Sequence, residues 1–122
     1  MPKKILIVED DPFLREMMVR KLVGSNYHAD AAADGEQALK KVKDDKPDLI
    51  LLDLMLPGID GYEFLSRIQK DKATKSIPVV VLSNLGQKEE IDRAKKLGAI
   101  DFLVKAHFTP DDIVKKVKET LK

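Results

Sequence analysis

The chain has 122 residues, with 22 Lys and Arg against 21 Asp and Glu, 2 His, no Cys and a formal net charge of +1. The near-neutral balance excludes the strongly basic surface of a typical nucleic-acid binder. The missing cysteines exclude disulfides and zinc–thiolate centres, and no apolar run approaches the ~20 residues that span a bilayer. The opening Met1-Pro2-Lys3-Lys4 has no signal-peptide core. The expectation is a cytoplasmic protein with neither a nucleic-acid nor a membrane partner. Its length suits one domain, residues 1–122, that buries roughly two-thirds of the unfolded surface.

In chain order, Ile5-Leu6-Ile7-Val8 is the first of three short runs that are apolar without alternation; the others are Leu49-Ile50-Leu51-Leu52 and Val79-Val80-Val81-Leu82. Such runs, rich in branched residues, predict strands buried on both faces. Asp11-Pro12 then reads as a helix cap followed by Pro at the first helical position. Phe13, Leu14, Met17, Met18 and Leu22 recur at helical spacing, and Gly24 stands where a helix end favours a left-handed residue. Tyr27 to Ala32 carries Asp30 and reads as an edge strand. Asp34-Gly35-Glu36-Gln37 resembles a capping box, and Ala38, Leu39 and Val42 continue a second helix.

After the second apolar strand, Pro57-Gly58 and Gly61 serve a turn, and Asp60 caps a third helix through Phe64, Leu65 and Ile68. A fourth helix runs through Ile91, Ala94 and Leu97 to Gly98. A second edge strand, Ile100 to Val104, carries Asp101. Thr109-Pro110 opens the last helix, with Ile113, Val114, Val117 and Leu121 on its apolar face. Strands alternating with helices over short connections predict an α/β fold with a parallel sheet and right-handed crossovers. With the apolar strands central, the order is 2-1-3-4-5: a flavodoxin-like (βα)5 architecture with helices on both faces.

Open parallel sheets bind ligands beyond the carboxyl ends of their strands, where the strand order reverses. Here that edge receives Glu9-Asp10-Asp11 from the first strand, Asp53 from the third, Ser83 from the fourth and Lys105 from the fifth. Clustered carboxylates repel and require protons or a cation. An oxygen-only donor set without His or Cys favours a hard ion, Mg²⁺ or alternatively Mn²⁺. Lys105 supplies a compact positive charge for a phosphoryl oxygen and Ser83 a hydrogen bond for another. Phosphoryl transfer needs little beyond such positioning and charge stabilisation. Asp53, central and opposite the acid pair, is the expected nucleophile, since carboxylates form aspartyl-phosphates. His28 and His107 have no partner pattern and read as solvated.

Four groups of residues in this order, Ile7-Val8-Glu9-Asp10-Asp11, the block Asp53 to Gly61, Leu82-Ser83 and Val104-Lys105, resemble the receiver domain of bacterial two-component response regulators over essentially the whole chain. A chain of receiver length alone resembles the stand-alone chemotaxis and phosphorelay types. The resemblance implies a phosphoacceptor switch rather than an enzyme, taking a phosphoryl group onto Asp53 from a sensor histidine kinase, a histidine phosphotransfer protein or a small acyl phosphate. It implies Mg²⁺ held by Asp10, Asp53 and the Met55 carbonyl, with Glu9 acting through water. It implies that Ser83 follows the phosphoryl group, that Phe102 moves with it, and that a downstream protein reads the surface of the fourth helix, fifth strand and fifth helix. The expected state is a monomer.

The sequence departs from the family pattern at Asn84, where a very small residue is usual, and at Ala106, where Pro usually follows the lysine. Met55 and Leu85, each two residues beyond a site residue, are apolar. Asn84, Met55 and Leu85 bear on rates. In the family the peptide bond before that Pro is usually cis, and a cis bond before a non-Pro residue costs ~2.5–4 kcal/mol. The expectation is therefore a trans Lys105–Ala106 peptide, a loop rearranged up to Thr109, and a Lys105 side chain that still reaches Asp53. Other readings are an unphosphorylated adaptor of the same fold, an aspartate-nucleophile phosphatase and a flavin module. The intact set Asp10, Asp53, Ser83 and Lys105 speaks against the first. Asp53-Leu54-Met55 lacks the second acid of such phosphatases, and acids stand where a flavin phosphate would need a glycine-rich loop.

Overall fold

A strand that is apolar at every position must be covered on both faces, and the computed structural model, which describes residues 2–121, meets that demand. Five parallel strands lie in the order β2-β1-β3-β4-β5: β1 (Lys4–Val8), β2 (His28–Ala32), β3 (Leu49–Leu52), β4 (Val79–Ser83) and β5 (Asp101–Val104). The crossovers are α1 (Pro12–Gly24), α2 (Gly35–Asp45), α3 (Gly61–Lys70) and α4 (Lys88–Lys96), and α5 (Pro110–Thr120) follows β5. This is the predicted flavodoxin-like order. Among the described residues no helix is long and apolar enough to cross a membrane.

Side chains alternate across each strand, so each apolar run feeds two cores. Leu6, Val8, Ile50, Leu52, Val79 and Val81 pack with Val42, Phe64, Leu65, Ile68 and Ala94 beneath α2, α3 and α4. Ile5, Ile7, Leu49, Leu51, Val80 and Leu82 pack with Met18, Leu22, Ile113, Val114 and Val117 beneath α1 and α5. Each large side chain so buried contributes about 1.5–3 kcal/mol relative to exposure.

The caps explain where the helices begin. Asp11 accepts from the amides of Phe13 and Leu14, Asp60 from that of Glu63, and Thr109 and Asp112 form a reciprocal box. Asp34 caps α2 by accepting from Gln37 N, but the Gln37 side chain returns to Ala33 N instead of closing the expected box.

Two further expectations are corrected. Gly24 does not take the left-handed conformation; α1 runs through it and Asn26 turns the chain at φ 70°. Asn tolerates that region, so the turn falls where the chain must reverse into β2. Phe13 sits among the helically spaced apolar residues yet is 77% exposed. The stripe facing the sheet is Leu14, Met18 and Leu22, at i, i+4 and i+8, and Phe13 lies one residue, about 100°, away from it. Gly98 does adopt positive φ, at 108°.

Candidate functional site

The carboxyl ends of β1 and β3 are held in register by the sheet ladder, Val8 opposite Leu52. One residue further on, Asp53 N donates to Val8 O at 3.0 Å and Glu9 N to Ala32 O at 3.0 Å. These backbone bonds extend the sheet just far enough to carry Glu9 and Asp53 to its edge. Carboxylate oxygens of Glu9, Asp10 and Asp53 all lie within 4.8 Å of one another. Glu9 and Asp53 are buried, whereas Asp10 is exposed.

Both oxygens of Asp53 are engaged. Oδ1 accepts from Met55 N at 3.1 Å, and Oδ2 accepts from Lys105 Nζ at 2.8 Å. These two bonds fix the plane of the carboxylate. The Lys105 ammonium also contacts Glu9 Oε1 at 2.5 Å, so one cation serves two buried acids. Burial pushes the Glu9 carboxyl up, and nearby Asp53 adds to this, outweighing Lys105 and the Asp11 amide. Burial works to lower the Lys105 ammonium, but its bonds to Asp53 and Glu9 prevail and hold it above the ordinary lysine value.

The Lys105–Ala106 peptide is trans, and Lys105–His107 forms a single 3₁₀ turn before the Thr109 cap. The missing proline therefore leaves a helical turn in the loop, and the long lysine stem still spans to Asp53. Ser83 is buried at the end of β4, and its hydroxyl accepts from Leu85 N at 3.3 Å. Among the described residues it makes no bond to Asp53 or Lys105. The hydroxyl proton is thus directed by no acceptor in the cluster. Met55 presents its side chain to solvent, 56% exposed, and Phe102 is half-buried against the core beneath α2, α3 and α4.

Close approach shapes the loop after Asp53. A Cβ on Gly61 would come within 2.4 Å of Leu54 Cα, and Gly58 takes φ 72°. Glu36 of α2 accepts from Ile59 N at 3.2 Å and supports the same loop from behind.

Two contributors were not read from the sequence. One is Glu36, whose contact is 23 residues away along the chain. The other is Arg15, whose Nη1 donates to Glu9 O at 3.0 Å and Asp10 O at 3.3 Å. A signal for Arg15 existed: a cation near a helix N-terminus opposes the macrodipole.

The donor set is oxygen throughout, with three clustered acids, and fits a hard divalent cation rather than a soft one.

Comparison with known proteins identifies the family and supports the fold. The chain is 35% identical over 122 residues to the phosphate regulon transcriptional regulatory protein PhoB of Escherichia coli, covering 100% of this chain and 53% of that protein. It is 38% identical to the alkaline phosphatase synthesis transcriptional regulatory protein PhoP of Bacillus subtilis, covering 50% of it. The chain thus spans about half the length of the curated relatives it matches. Among solved structures, the chemotaxis response regulator CheY4 of Vibrio cholerae superposes with a TM-score of 0.92 at 30% identity, over 99% of this chain and 100% of that one. A CheY-like receiver domain protein from Methanospirillum hungatei gives 0.92 at 26% identity, over 99% and 94% of the two chains. The response regulator receiver domain family matches residues 5–118. By its sequence, its strand order and the acids gathered at its sheet edge, the chain belongs to the response regulator receiver domain family.

Proposed function

We propose that this receiver accepts a phosphoryl group on Asp53 from a phosphohistidine, on a sensor histidine kinase or a histidine phosphotransfer protein, and passes the change to a downstream protein. Receiver domains are signalling switches that interact with histidine kinases and effectors. The observation that carries the assignment to Asp53 is its carboxylate, fixed by Met55 N and Lys105 Nζ inside the three-acid cluster.

Mg²⁺, or Mn²⁺, would be held by Asp10, Asp53 and the Met55 carbonyl, with Glu9 acting through water, and would offset the charge of the phosphoryl oxygens. Attack by an Asp53 oxygen on phosphorus forms the acyl-phosphate bond. The P–N bond breaks, and its electron pair returns to the imidazole ring. Fixing the carboxylate plane beforehand removes orientational freedom that the reaction would otherwise have to lose. Lys105 meets one phosphoryl oxygen with its charge. Ser83, whose oxygen accepts from Leu85 N, keeps its own proton to donate to another.

Phe102, on the strand beside β4, follows Ser83. The face made by α4, β5 and α5 then changes and is read by the partner. The protein works in the cytoplasm as a monomer, as a regulator rather than a turnover enzyme, and this unit engages protein rather than nucleic acid or membrane.

The test is incubation with a small acyl phosphate and, separately, with a phosphohistidine-bearing domain, in Mg²⁺ or in chelator, followed by intact-mass spectrometry. A Mg²⁺-dependent gain of one phosphoryl group is expected. No gain from either donor overturns the reading.

A further inference from the structure

The proposed chemistry does not use Arg15, which lies against the acidic edge. Its Nη1 donates to two consecutive carbonyls, Glu9 O at 3.0 Å and Asp10 O at 3.3 Å. Among the described residues no other hydrogen-bond donor reaches either carbonyl. Nor does Arg15 make an ion pair there, whereas Arg20 and Arg67 pair with Glu16 and Glu63 on open helix faces. The guanidinium also stands in the N-terminal part of α1, where the macrodipole opposes a cation. A charged side chain placed against its own helix dipole, with no carboxylate partner, is held by what it does for the turn.

That turn carries the acid pair. Its far end is pinned by the helix cap, Asp11 Oδ1 accepting from Phe13 N at 2.9 Å, and by Asp11 N donating to Glu9 Oε2 at 3.2 Å. Arg15 pins the peptide planes after Glu9 and after Asp10. Asp10 is exposed, and among the described residues its carboxylate accepts no hydrogen bond. With no such contact, the backbone sets the direction in which the Asp10 side chain leaves the chain, and that backbone is what Arg15 holds.

We infer that Arg15 is a positioning residue for the cation site, aligning Glu9 and Asp10 through their carbonyls. The inference rests on the reading of this edge as a Mg²⁺ site. Two effects of the guanidinium oppose each other: its charge repels a dication, and its hydrogen bonds preorganise the ligands. If positioning prevails, removing the fork weakens cation binding although a positive charge has gone.

The test measures Mg²⁺ affinity by calorimetry on the full chain, alongside the phosphorylation rate as a function of Mg²⁺. Arg15→Gln and Arg15→Lys should each weaken Mg²⁺ binding by about tenfold, the lower end of the cost of losing a group that orients metal ligands. Their rates at saturating Mg²⁺ should return to that of the unaltered protein. Arg20→Gln removes the same charge from the same helix and should leave the affinity unchanged. Tighter binding by Arg15→Gln, or unaltered binding by Arg15→Lys, would mean that the side chain acts by charge alone and would overturn the inference. So would a lower plateau rate with unaltered affinity, which marks a merely structural role. If the unaltered protein binds no Mg²⁺, the reading of the edge as a cation site fails first, and the inference fails with it.

Discussion

Lys105 Nζ stands between Asp53 Oδ2, at 2.8 Å, and Glu9 Oε1, so one ammonium from the 3₁₀ turn after β5 is shared by acids at the ends of β3 and β1. Three carboxylates and one ammonium leave the edge with excess negative charge. That imbalance predicts linked responses of stability to pH and to added cation.

Glu9 feels both burial and this charge. Burial, followed by the nearby charge of Asp53, favours its protonated form in the folded state. Between its ordinary value of 4.5 and the raised folded value, the folded protein binds more protons than the unfolded one. Stability contributed by this group therefore falls as pH rises through that window. In chelator at neutral pH, Glu9→Gln should raise the melting temperature by a few degrees, and the gain should shrink as pH is lowered towards 4.5. Lys105 has the opposite profile. Its pairing contribution is complete below its ordinary value of 10.5 and is lost as pH rises through the raised folded value. Paired melting curves for the two proteins across pH check both statements.

A cation that binds only the folded state adds RT ln(1 + [L]/Kd) to stability. Mg²⁺ in millimolar amounts should raise the melting temperature, by an amount that grows with concentration. Asp10→Asn should raise it in chelator, by relieving repulsion within the 4.8 Å cluster, and should lose most of the Mg²⁺ response. Thermal denaturation with and without chelator provides the check.

Ala106→Pro tests the loop. Proline disfavours a helical conformation in the residue before it, and Lys105 opens the 3₁₀ turn with a trans peptide to Ala106. The substitution should destabilise the protein and displace the lysine from Asp53, even though proline is what the family usually carries there. Chemical denaturation measures the first effect, and a slower phosphorylation rate the second.

The phosphoryl group should be lost slowly. Met55, two residues beyond Asp53, is exposed, and Leu85, two beyond Ser83, is partly buried against the core beneath α2, α3 and α4. Neither side chain can orient a water molecule by hydrogen bonding. Met55→Asn combined with Leu85→Glu should shorten the phosphorylated lifetime, as followed by the decay of the phosphorylated mass after the donor is removed. An unchanged lifetime would discard apolar shielding as the cause.

Much of this was legible in the sequence for identifiable reasons. Ile5–Val8, Leu49–Leu52 and Val79–Leu82 are apolar at every position, which assigns them to the middle of a parallel sheet and hence brings Glu9, Asp10, Asp53 and Ser83 to one edge. Asp11-Pro12 and Thr109-Pro110 mark helix starts through local hydrogen bonding, which needs no tertiary knowledge. What escaped depends on contacts distant in sequence or on small rotations. Periodicity could not tell the buried stripe Leu14-Met18-Leu22 from Phe13 beside it. The reversal before β2 uses Asn26 instead of Gly24, because its position depends on where β2 begins. Nor does local pattern reveal that Lys105 reaches Glu9 as well as Asp53, or that Arg15 turns back onto the carbonyls of Glu9 and Asp10.

The most direct measurement is the location of the phosphoryl group. The unaltered protein and Asp53→Asn, each treated with a small acyl phosphate and Mg²⁺, are compared by intact mass and by peptide mapping. The account predicts one added phosphoryl group in the unaltered protein, mapped to the peptide that carries Asp53, and none in the variant. An equal gain in Asp53→Asn, or a phosphoryl group mapped to another residue, would contradict it.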